Sequence, residues 1–206
     1  MATLDHLVVT SPTLAQGVTY VEDLLGITLH AGGHHALFGT HNRLLSLAGG
    51  VYLEVIAVDP DAPPPGRRRW FNLDQAPAAP ALTHWVCDSA DLPRDMARVF
   101  GAHAEAAPLD LARGTLTWQM GLPKQTDLPF QGLCPALISW QGEKAGQLLP
   151  ASGCTLNAVT LIHPEADALA DRLAPVLQDE RVTLETGEKP RITARITTPK
   201  GEVILS

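Results

Sequence analysis

Leu4-Asp5-His6-Leu7-Val8-Val9-Thr10 reads as a short strand rich in β-branched residues. Ser11-Pro12 follows, a pair suited to an N-cap and a first helical position. Leu14, Val18, Val21 and Leu25 then recur at helical spacing as one apolar stripe, and Gly26 stops the helix. Three strand-like runs come next, over 27–31, 42–47 and 51–58, with Gly49-Gly50 at the turn between the last two. The pattern is strand, helix, strand, strand, strand.

The pattern returns. Leu82-Thr83-His84-Trp85-Val86-Cys87 is again a strand, and Ser89, Leu92, Met96 and Val99 follow His84 at the offsets 5, 8, 12 and 15 at which Ser11, Leu14, Val18 and Val21 follow His6. Gly101 ends this helix, and strands are expected over 104–111, 115–120 and 136–140. A third pass begins at Leu156, with a strand over 158–162, a helical stripe of Ala166, Leu169, Leu173 and Leu177, and strands over 182–185, 192–197 and 203–205. The expected fold class is therefore α+β, built from repeated βαβββ modules at 1–58, 81–141 and 153–206, each needing a neighbour to cover its sheet. Proline-rich 59–65, Ala/Pro-rich 76–81 and small, polar 142–153 read as the connecting loops.

Composition narrows the function classes. Apolar residues make up 45% and charged residues 18% of the 206, enough for a sizeable core. A net charge of -7 argues against a nucleic-acid or anionic-membrane partner, which would demand a basic face. No run approaches the ~20 apolar residues of a membrane span, and the first residues lack a signal-peptide pattern, so the expected location is cytoplasmic. Cys87, Cys134 and Cys154 form neither a zinc-type pair nor a disulfide framework and read as small buried side chains.

His6 and His84 hold the same place in two aligned strands. Modules paired about a pseudo-twofold axis would turn both imidazoles into one cleft, where neutral imidazoles make a natural metal site. Glu54 lies inside the apolar strand Val51-Tyr52-Leu53-Glu54-Val55-Ile56, where an unpaired charge is costly to bury, so it either faces solvent or has a partner; two apolar strand faces favour the paired reading, with Glu54 as the carboxylate ligand.

Leu4-Asp5-His6-Leu7-Val8-Val9, Gly39-Thr40-His41-Asn42-Arg43-Leu44-Leu45 and Tyr52-Leu53-Glu54-Val55-Ile56-Ala57-Val58-Asp59-Pro60 together resemble the glyoxalase-like domain family of the vicinal-oxygen-chelate superfamily. Gly114-Thr115-Leu116-Thr117-Trp118 and Leu137-Ile138-Ser139-Trp140 resemble it too. The resemblance implies paired modules forming a curved sheet cup, with metal ligands from the first and last strands of each module. It places His6, Glu54 and His84 at three of four ligand positions for a divalent metal ion. Ser139 is expected at the fourth, where a glutamate would stand, so the four-ligand site of glyoxalase I is not implied. Two histidines and one carboxylate match the ligand type of extradiol dioxygenases of the same superfamily. The implied function is a metal-dependent enzyme of lyase, isomerase or dioxygenase type acting on a small oxygen-rich molecule. The alternative is a metal-free protein that binds or sequesters a small molecule in the same cup.

His41 is the candidate catalytic acid or base, since histidine titrates near neutrality. His34 and His35 fall in Gly32-Gly33-His34-His35, read as a flexible loop, and His30, His103 and His163 as loop or surface residues. Arg67-Arg68-Arg69-Trp70-Phe71 reads as a basic loop with aromatics tucked into the core, or as a lid for an anionic substrate. Trp118 and Trp140 are expected in the cleft wall or the core. The expected partners are a small-molecule ligand and, as an option, a second copy of the chain in a homodimer.

Overall fold

The computed structural model describes residues 1–75, 78–101, 106–123 and 128–206. β1 (Ala2–Thr10) is buried at every residue but Thr3, as a near-continuous apolar run requires of a strand covered on both faces. Thr13 caps α1 (Leu14–Leu25): its hydroxyl accepts the Gln16 backbone N–H at 3.3 Å. The cap therefore lies two residues beyond Ser11, whose hydroxyl donates to the Thr13 carbonyl instead. Gly26 closes the helix in the left-handed conformation at φ 69°. β2 (His30–His35), β3 (Thr40–Ser46) and β4 (Tyr52–Val58) complete the first module.

After a short 3-10 segment at Trp70–Gln75, the second module runs β5 (Ala81–Ser89), α2 (Leu92–Phe100), β6 (Ala106–Arg113), β7 (Leu116–Pro123) and β8 (Ala136–Trp140). Asp91 caps α2 through the Arg94 N–H. The start of the strand expected at 104–111 lies outside the described residues, as does His103. The chain then forms α3 (Ala145–Leu148), β9 (Thr155–His163), α4 (Ala166–Leu173), β10 (Val182–Thr186), β11 (Arg191–Thr198) and β12 (Gly201–Leu205).

The first two modules share one sheet of eight strands in the order β2-β3-β4-β1-β5-β8-β7-β6. In each module the last strand lies parallel beside the first, and β1 and β5 meet antiparallel at the centre. The β1–β5 register carries the mark of duplication. His6 pairs with Val86 and Val8 with His84; Leu4 pairs with Cys87 and Val9 with Leu82. Adding 78 to each β1 residue number turns every one of these pairs into its counterpart, and Leu7 opposite Trp85 pairs with itself. The two register shifts, at Asp5 and at Thr83, exchange in the same way. A pseudo-twofold axis therefore passes through the Leu7–Trp85 pair, and His6 and His84 are equivalent positions.

The third unit keeps the element order but not the pairing. Its own sheet runs β10-β9-β11-β12, so the strand next to β9 in parallel is the one directly after the helix, and the last strand lies at the edge. It joins the first module through the backbone: Ala2 donates to the Val176 carbonyl at 2.7 Å and accepts from Gln178 at 2.8 Å. α1 packs on the back of the large sheet at Gly17, where a Cβ would meet Val55 Cγ1 at 2.5 Å. The opposite face forms the inside of the curled sheet. Cys87, Cys134 and Cys154 are free and buried.

Candidate active site

Strand alternation decides which side chains enter the cup. On β1 the inward residues include His6 and Val8; their parallel partners on β4 are Tyr52 and Glu54, and the β3 residues opposite are Ser46 and Leu44, followed by Asn42 and Thr40. These positions gather a connected polar network. His6 Nδ1 hydrogen-bonds Asp5 Oδ1 at 2.6 Å, and its Nε2 lies 3.5 Å from Glu54 Oε2. Asn42 Nδ2 donates to the other Glu54 oxygen at 2.5 Å. Asn42 is oriented for this because its Oδ1 accepts the Gly33 N–H at 2.7 Å. The Trp140 indole donates to Asp5 Oδ2 at 2.8 Å, and Tyr52 stacks on His6 with centroids 4.4 Å apart.

The sheet curls far enough for its edges to meet. Arg113, on the edge strand β6, lies 3.4 Å from both Asn42 Oδ1 and His35 Nε2, on and beside the opposite edge. Gly32 and Gly33 make this approach feasible. A Cβ at Gly32 would sit 2.0 Å from Asn42 Oδ1, and one at Gly33 2.5 Å from Arg113 Cδ. The stretch expected to be a flexible loop is thus an edge strand whose glycines admit two polar side chains.

Burial alone would lower the His6 pKa, but the hydrogen bonds and charges of Asp5 and Glu54 outweigh it and push it up to about 9. Burial would raise that of Glu54, yet the hydrogen bond and charge of His6, with the Asn42 hydrogen bond, hold it below the usual carboxylate value. At neutral pH the floor of the cup therefore holds the His6 imidazolium between Asp5 and the Glu54 carboxylate. His35 is pushed down to about 4, chiefly by burial, and is neutral.

The expected site residues divide. His6 and Glu54 come together. His84 shares their face of the sheet, but Phe71 packs against its ring at a centroid distance of 5.4 Å, and burial pushes its pKa down to about 4. His6 and Glu54 line a chamber of about 30 Å³, whereas His84 lines a neighbouring cavity of about 1040 Å³. Trp70, Phe71 and Met120 line both. Ser139 is not the counterpart of Glu54. Val8 pairs with Glu54 and its equivalent Val86 pairs with Ala136, so Ala136 holds that position; an apolar pattern alone does not fix the register. His41 lies on the other side of the sheet. It pairs with Ala57 and His34, one step out of phase with Glu54, and so cannot reach a ligand in the cup. His163, expected at the surface, is buried. Trp118 and Trp140 line the chamber, and their rings lie 5.5 Å apart.

The sequence from 4 to 177 matches the model of a family described as glyoxalase-like domain. The chain belongs to the glyoxalase-like domain family. Among curated proteins, none matches it. A hypothetical protein from Staphylococcus aureus shares the fold at a TM-score of 0.67 with 14% identity, over 100% of this chain and 99% of that one. Methylmalonyl-CoA epimerase from Mycobacterium tuberculosis aligns at 0.44 with 19% identity, over 70% and 89% of the two chains. That from Streptomyces coelicolor aligns at 0.46 with 16% identity, over 70% and 99%.

Of the four ligand positions of the superfamily's metal site, this glyoxalase-like domain brings two donors together. His6 Nε2 and Glu54 Oε2, 3.5 Å apart, could share an ion, and Asp5 on Nδ1 is the kind of outer partner that orients a ligating imidazole. His84 lies beside Phe71 and Ala136 offers no donor atom, so the set does not fit that site. Among the described residues, His6, Glu54 and His84 do not form a cluster with all ligand atoms within 4.8 Å. What the pair can do unaided is exchange protons: a carboxylate with a protonated partner at hydrogen-bonding range is an acid–base couple.

The larger cavity of the glyoxalase-like domain combines apolar and cationic walls. Its walls include Leu82, Leu109, Leu128, Leu133 and Ile192, the last from the third unit. Arg67, Arg68, Arg69 and Arg191 also line it, with Arg69 tied to Asp74 at 2.6 Å and Arg67 over the Phe38 ring. The sequence signal for this was the Arg67-Arg68-Arg69-Trp70-Phe71 run, whose aromatics are buried and whose cations face the cavity.

Proposed function

We propose that the protein is an enzyme that moves a proton on a small, anionic, oxygen-bearing molecule, with Glu54 as the base and His6 as its acidic partner. The observation that carries this is the Asp5–His6–Glu54 network, buried at the floor of the cup. Burying an ion pair costs more than it returns unless its geometry is good, and such pairs with perturbed pKa values concentrate at functional sites. The ligand's apolar part would occupy the larger cavity and its charge would meet the arginines, while its acidic carbon–hydrogen bond, next to a carbonyl, would face Glu54. Glu54 takes the proton, and the His6 imidazolium stabilises the oxygen anion that develops. Asn42 holds Glu54 in place, and Trp140 and Tyr52 hold Asp5 and His6.

A second reading, a metal-free binding protein, is favoured by one observation: Trp70 and Phe71 stand between the large cavity and the pair. Deuterium uptake separates the two. The protein is incubated in D2O with a mixture of 2-oxo acids and short acyl thioesters, and mass spectrometry reads the label. Uptake at the carbon next to a carbonyl, lost by a factor of at least a hundred in Glu54→Gln, is expected. No uptake from any member, with saturable binding retained, would leave the binding protein.

A further inference from the structure

His41 leaves the cup but does not stand alone. On the outer face of the sheet, His34, His41 and Asp59 bring one ligand atom each to within 4.8 Å of one another. Two come from neighbouring strands in register and the third from the residue after the next strand. His34 on β2 is directly opposite His41 on β3, their rings 5.9 Å apart, and Asp59 follows the end of β4. Asp59 is fixed in place: its Oδ2 bonds His34 Nδ1 at 2.6 Å, its Oδ1 accepts the Asp61 N–H at 3.1 Å, and its own N–H donates to the Gly39 carbonyl. The carboxylate is buried, while the His34 side chain is 75% exposed, so the set has a rigid anionic base and an accessible mouth.

We propose that His34, His41 and Asp59 form a binding site for a divalent transition-metal ion, separate from the cup. Two imidazoles and one carboxylate on one face are borderline-soft N/O donors that suit Zn²⁺, Co²⁺, Ni²⁺ or Fe²⁺ rather than Ca²⁺ or Mg²⁺, and they leave positions for water. The site lies on the back of the β2–β3 hairpin whose inner face carries His35 and Asn42, each the immediate neighbour of a ligand. A bound ion would pin together the ends of three strands that shape the wall behind Glu54. The chain itself thus provides a brace from outside for the polar network inside.

The test uses the full chain with any affinity tag removed and metal stripped by chelation. Zn²⁺ is titrated by calorimetry, and Co²⁺ is followed by broadening of histidine ring signals in NMR. One ion per chain is expected, with broadening at His34 and His41. His34→Ala, His41→Ala and Asp59→Asn should each weaken Zn²⁺ binding at least tenfold, while Glu54→Gln binds it as the wild type does. The wild-type spectrum does not depend on any variant folding. Absence of stoichiometric binding, broadening centred on His6 or His35, or affinity that survives His34→Ala and falls in Glu54→Gln would overturn the proposal.

Discussion

At the scale of single residues, two buried histidines differ in their charged neighbours: carboxylates outweigh burial at His6, and burial prevails at His84. His6, between Asp5 and Glu54, has its pKa raised from 6.5 to about 9. Folding then favours the protonated form, so its stabilisation is complete below about pH 6.5 and is lost as pH rises toward 9. His84 is pushed from 6.5 down to about 4 by burial, so its contribution is complete above about 6.5 and is lost as pH falls toward 4. Urea unfolding followed across pH should therefore show greatest stability near 6.5, and His6→Gln should flatten the alkaline limb while keeping the acid one. The sequence made His6 and Glu54 legible because a histidine in a repeated position and a charge in an apolar strand are both costly without a partner. Asp5 was not legible: in a regular strand it would point away from its neighbour His6, and only the bulge at Asp5 lets the two side chains meet. Arg113 was hidden for a different reason, since its partners lie across a closed-up sheet, more than 70 residues away.

At the scale of elements, the dyad at Leu7 and Trp85 is the mechanical centre. Trp85 is fully buried and donates its indole N–H to the Leu133 carbonyl at 2.9 Å. Trp85→Phe keeps the ring but orphans that carbonyl and should cost about 1–3 kcal/mol, whereas Trp85→Ala adds a cavity and should cost about 3–5 kcal/mol, both measured by urea denaturation. The repeat of strands and helices was readable because matching offsets with no gap preserve the apolar stripe. Register is not readable from an apolar pattern, so the pattern does not tell Ser139 from Ala136 as the counterpart of Glu54, nor which face of the sheet His41 takes. An alignment error of this kind, or a one-residue change of phase, costs nothing in an apolar pattern but moves a functional group to another position or the opposite face.

At the scale of the whole molecule, three passes of one element order give two different topologies. The first two modules share a sheet and a pseudo-twofold axis; the third pairs its strands differently and contributes Pro190, Arg191, Ile192 and Ser206 to the wall of the large cavity. Element order is a property of the local pattern, while pairing depends on which apolar face each strand finds, so the tail's strands were foreseeable and its topology was not. Among the described residues no helix is long and apolar enough to cross a membrane. The cup is built around a buried His6 imidazolium facing the Glu54 carboxylate. This arrangement is tested by an NMR titration of the ring nitrogens of His6 in protein with ¹⁵N-labelled histidine. A doubly protonated ring at pH 7.5 that titrates at about 9 is expected, with a midpoint at least one unit lower in Glu54→Gln. A neutral His6 at pH 7.5, or a midpoint unmoved by Glu54→Gln, would contradict it.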